Sequence, residues 1–81
     1  MAVSIQFFGI QRTITKTESI HMPFIEKTSV TDALEYIRSQ YPALHLDKGM
    51  VLVTVNQKMA SLDTELREND IVLFLPHIGG G

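Results

Sequence analysis

The chain has 81 residues, 44% of them hydrophobic, with seven Lys and Arg against nine Asp and Glu for a formal net charge of -2, and no cysteine. That length holds one domain with one small core, and the composition is that of a folded chain. The charge balance leaves no basic block able to neutralise a run of phosphates, which excludes nucleic acid as a partner, and the missing cysteine excludes a disulfide framework, a thiolate nucleophile and thiolate metal ligands.

Val3-Ser4-Ile5-Gln6-Phe7 alternates with period two, which predicts a strand with Val3, Ile5 and Phe7 on one face and Gly9 at its end. No cationic leader precedes an apolar stretch and no run reaches membrane-spanning length, so no membrane association and a cytoplasmic location are expected. Gln11 to Ser19 is polar and Thr-rich and contributes no regular element to the expected order. Ile20-His21-Met22-Pro23-Phe24 reads as a second strand, at an edge because Pro23 cannot donate to a ladder.

Ser29-Val30-Thr31-Asp32 has the S-x-x-[DE] form of a capping box and predicts a helix over residues 31–40, ended by Pro42. Val30, Ala33, Leu34, Ile37 and Tyr41 form its buried stripe. After a loop from Ala43 to Gly49, Met50 to Val55 is β-branched and apolar, and Asn56-Gln57 turns it into a short strand at Lys58-Met59-Ala60. Polar residues around Leu62 and Leu66 lead to Ile71-Val72-Leu73-Phe74-Leu75, a last strand stopped by Pro76.

The expected architecture is α+β: one mixed sheet of four to five strands with one main helix packed on one face. Period two turns Val72 and Phe74 towards the helix, leaving Ile71, Leu73 and Leu75 on a face that has no second helix to cover it. Flanking loops could cover those three residues, or a partner could. Residues 71–81 contain no Asp, Glu, Lys or Arg and finish in Gly79-Gly80-Gly81. Extended, Pro76 to Gly81 reaches about 20 Å, enough to enter another protein's active site.

These pieces together resemble the ubiquitin-like sulfur carriers of the MoaD/ThiS family, and within it the branch of molybdopterin synthase small subunits. The resemblance rests on the opening strand Ile5 to Gly9, the helix start Ser29 to Leu34, the hairpin Val53 to Gln57, and above all the run Asp70-x-Val72-x-Phe74-x-Pro76 leading to a terminal Gly80-Gly81. Two positions depart from that branch's usual pattern. His77 stands where a second proline is usual, and Gly79 where a small residue precedes the glycine pair.

The resemblance implies a ubiquitin-like β-grasp domain over residues 1–76 and a flexible Gly-rich tail over 77–81, monomeric when free. It implies that the protein is not an enzyme and binds no cofactor itself. An E1-like adenylating enzyme would use ATP to activate the carboxylate of Gly81, which then becomes a thiocarboxylate. The sulfur would go to a pterin precursor on a molybdopterin synthase large subunit, or to another acceptor enzyme. Gly79 and Gly80 would thread the partner's active site, with Leu73, Leu75, Pro76, His77 and Ile78 as partner contacts. The alternatives are a sulfur carrier for thiamine, cysteine or tRNA thiolation, a ubiquitin-like protein modifier joined to lysines, or a β-grasp interaction module without C-terminal chemistry. His21, His45 and His77 fall in separate elements without metal-site spacing, so no metal is expected, and no serine has the glycines of a nucleophile elbow.

Overall fold

The computed structural model describes residues 2–44, 46 and 51–76. Strand β1 (Ala2–Gln6) follows its alternation, with Val3 and Ile5 fully buried. It pairs antiparallel with β2 (Ser19–Pro23), whose Pro23 lies opposite Ala2. The other strands are β3 (Val51–Val55), β4 (Lys58–Ala60) and β5 (Ile71–Pro76), in the sheet order β2-β1-β5-β3-β4. Pro23 is therefore on an edge strand, as its missing N–H requires. Among the described residues only the β1–β5 pair is parallel, so the sheet is mixed and β5 is its middle strand. Asn56 and Gln57 join β3 to β4 at φ 52° and 70°, the double left-handed conformation of a two-residue hairpin turn.

The main helix, here α2 (Val30–Gln40), starts at the expected capping box. The Ser29 N–H donates to Asp32 Oδ2 at 2.9 Å and the Asp32 N–H to Ser29 Oγ at 3.3 Å. The first two helical N–H groups find carbonyls outside the helix: Val30 donates to Thr64 at 2.9 Å and Thr31 to Leu62 at 3.1 Å. The donors that a helix start leaves without partners are thus tied to the segment before β5. Leu62 and Leu66 anchor that segment, Leu66 in the core and Leu62 packed against it. Val30, Ala33, Leu34 and Ile37 are fully buried and pack with Val3, Ile5, Phe7, Val53, Val72 and Phe74 as the two periodicities predict. Tyr41 sits half-buried at the helix end, its ring edge-on to Phe7 at a centroid distance of 5.7 Å.

Three features differ from expectation. The Thr-rich stretch contains a short helix, α1 (Ile10–Thr15), whose Gln11 and Thr15 are buried. It is reached through Gly9 at φ 55°, ψ −123°, the first central position of a type II′ turn, which a residue with a Cβ rarely adopts. Pro42–Leu44 forms one 3₁₀ turn. Pro76 pairs with Val51 as the last residue of β5 instead of lying beyond the strand. The expected mobility of residues 77–81 lies outside the described residues.

Candidate functional site

The face of the sheet away from α2 is laid out by the strand registers. On β5, Val72 and Phe74 are buried beneath the helix while Leu73 and Leu75 are half-buried on the opposite face and Ile71 is exposed. Leu75 stands opposite Leu52, which is 42% exposed, and Leu73 stands opposite Thr54. Thr54 in turn faces Met59 on β4, at 66% exposure. On the other side Leu73 neighbours Gln6, and Ile71 neighbours Ser4, which pairs with His21 on β2. Among the described residues no strand position on this face is Asp, Glu, Lys or Arg.

Of the residues assigned to partner contact from sequence, Leu73 and Leu75 therefore lie on the same open, uncharged face, at the end of the strand that leads into the tail. Pro76 continues the β5 backbone against Val51. His77, Ile78, Gly79, Gly80 and Gly81 lie outside the described residues. Leu52 and Met59 belong to the same patch and were not singled out in the sequence. Val51 to Val55 is apolar except for Thr54, so its composition marks a face only weakly, and pairing with β5 fixes it. His21 is exposed, and no cluster of three metal-ligating side chains occurs among the described residues.

The ThiS family model matches residues 5–81, nearly the whole chain. The chain belongs to the ThiS family. Members of this sulfur-carrier family are small non-catalytic proteins, and this chain is a carrier rather than an enzyme. It is 29% identical over 80 residues to the molybdopterin synthase sulfur carrier subunit of Mycobacterium tuberculosis, covering 98% of this chain and 96% of that one. Its fold is that of small archaeal modifier protein 1 of Haloferax volcanii, with a TM-score of 0.81 at 19% identity over 95% of this chain and 98% of the other. A complex of subunits 1 and 2 of the molybdopterin-converting factor from Helicobacter pylori contains a chain matched at TM-score 0.63 and 26% identity, with both chains fully covered. Among the described residues no helix is long and apolar enough to cross a membrane.

Proposed function

We propose that this carrier serves molybdopterin synthesis, with Gly81 as its reactive residue. A carboxylate carbon is a poor electrophile, so the terminal carboxylate must first attack the α-phosphate of ATP on an E1-like partner, expelling pyrophosphate and leaving an acyl-adenylate. Hydrosulfide then adds at the carbonyl carbon and AMP departs, which leaves a thiocarboxylate. Gly81 has no Cβ to obstruct that attack, and Gly79 and Gly80 allow a close passage through the partner. ATP belongs to the activating partner; the carrier itself binds no cofactor, acts as a monomer when free, and works in the cytoplasm. Residues 1–76 form the docking domain and 77–81 the reactive tail.

One observation carries this reading: the middle strand of the sheet places Leu73 and Leu75 on a face without formal charge and continues directly into the glycine tail. Docking there would seat the tail at a fixed distance from the interface. The named relative in Mycobacterium tuberculosis and the two-subunit complex from Helicobacter pylori support the molybdopterin branch and a large-subunit partner.

Intact-mass analysis after incubation with the cognate activating enzyme, ATP and a sulfur donor tests it. Oxygen is replaced by sulfur on the intact chain only. Deleting Gly81 or adding a residue shifts the reach by roughly 3.3–3.6 Å against a reacting distance of about 3–3.5 Å, so neither variant is loaded. Equal loading of the extended chain would place the reactive group elsewhere, and lysine conjugates without thiocarboxylate would identify a protein modifier instead.

A further inference from the structure

The ladder between β1 and β5 ends in an unusual way. The Ser4 N–H donates to the Asp70 carbonyl at 2.9 Å. Parallel rungs recur every two residues, so the rungs after it are Gln6 to Val72 and then Phe8 to Phe74. The last of these is not made. The Phe8 N–H donates to Gln11 Oε1 at 2.8 Å, and Gln11 Nε2 donates to the Phe74 carbonyl at 2.8 Å. The side-chain amide of Gln11 bridges the two backbone groups that the missing rung would have joined.

Local sequence puts it there. Gly9 opens the type II′ turn, the Gln11 N–H closes it on the Phe8 carbonyl at 3.0 Å, and the Gln11 side chain returns to the Phe8 N–H. Both polar groups of Phe8 are thereby held by one residue, which is only 4% exposed. Hydrogen-bond accounting does not require this, because an ordinary rung would satisfy Phe8 and Phe74 with no side chain at all. Ordering a glutamine side chain also costs up to about 1.5–2 kcal/mol. Beyond Leu73, β5 is consequently paired as a strand on one side only, with β3, through Leu75–Leu52 and Pro76–Val51. The same two-residue alternation turns the Pro76 nitrogen to the vacated side, where a missing N–H breaks no rung.

We propose that Gln11 is a positioning residue: its inserted carboxamide sets the angle at which the end of β5 leaves the sheet and so aims the reactive tail. In its functional arm the proposal rests on the sulfur-carrier reading; in its geometric arm it does not.

The test uses the full chain with Gln11→Met and Gln11→Glu. In the free wild-type protein, scalar coupling through the hydrogen bond connects Gln11 Nε2 to the Phe74 carbonyl carbon. In Gln11→Met that coupling passes to the Phe8 nitrogen as the ladder closes. The N–H residual dipolar couplings of Phe74 and Leu75 change relative to those of β1 and β3. Gln11→Glu keeps the acceptor and loses the donor at neutral pH; acidification supplies a carboxyl O–H donor and restores the wild-type dipolar couplings of Phe74 and Leu75, which decides the matter if the methionine variant does not fold. Unchanged Leu75 couplings in the folded variants would overturn the proposal.

With the activating enzyme and ATP, Gln11→Met lowers kcat for pyrophosphate release roughly ten- to hundredfold at unchanged KM, since docking is intact and only the aim is lost. An unchanged kcat overturns the proposal as well. A wild-type chain that releases no pyrophosphate would sink the sulfur-carrier reading, while the dipolar couplings still decide the role of Gln11.

Discussion

Asn56, at the tip of the β3–β4 hairpin, is bonded through its side-chain amide to Asp70, which precedes β5. Its Nδ2 donates to Asp70 Oδ1 at 2.9 Å while its Oδ1 accepts the Ile71 N–H at 3.0 Å. The second oxygen of Asp70 accepts the Arg67 N–H at 2.8 Å. One carboxylate thus joins the hairpin, the turn before β5 and the start of the tail-bearing strand. Asp70→Ala loses both side-chain contacts at a half-buried site, with an expected cost of about 1–2 kcal/mol. The check is a lower urea midpoint at unchanged slope.

Gln57 is expected to respond in the opposite direction. It is held at φ 70° without side-chain hydrogen bonds among those described. A left-handed non-glycine residue costs roughly 1–2 kcal/mol, and glycine returns part of that through its freer unfolded state. Gln57→Gly raises stability by up to about 1 kcal/mol, read as a higher urea midpoint.

Phe74 is 1% exposed, and its carbonyl receives the Gln11 amide. Phe74→Ala opens a cavity beneath α2 and costs about 3–5 kcal/mol. Much of the 4–12 kcal/mol or so expected for a chain of this length would be gone. A loss under about 1 kcal/mol by thermal or urea unfolding would show that the core refills around the missing ring.

Leu73 is half-buried in the middle of the open face. Leu73→Asp leaves the core untouched and puts a charge where a docked partner excludes water. Binding to the activating enzyme weakens about ten- to hundredfold, equivalent to 1.5–3 kcal/mol for one buried leucine. Calorimetric titration measures it, and unchanged affinity with an intact fold would remove this face from the interface.

The elements with a sustained period were legible in the sequence. The Val3, Ile5, Phe7 alternation and the Val30, Ala33, Leu34, Ile37 stripe each identify a buried face from spacing alone, and Ser29 with Asp32 marks the helix start. Residues with no period were not legible. Helix α1 has two polar residues, Gln11 and Thr15, on its buried side, so its pattern is inverted relative to the usual amphipathic helix. The Gly9 that starts it reads equally well as the end of a strand. Gln11 could be placed only after the β1–β5 register was known, because its role depends on which rung is missing. Pro76 was expected to stop the strand; it extends it because the neighbouring strand has already left on that side.

The parallel pairing of β1 with β5 also has a mechanical consequence. Ser4, Ile5 and Gln6 run alongside Ile71, Val72 and Leu73 in the same direction, so Ala2 and Pro76 lie towards opposite ends of the pair. Tension applied along the chain at Pro76, against an anchor at the start of β1, slides the two strands past each other and loads their rungs together in shear. Rungs that must break together resist far more force than rungs that unzip one by one. A pull of that geometry therefore acts against the strongest direction of the β1–β5 pair.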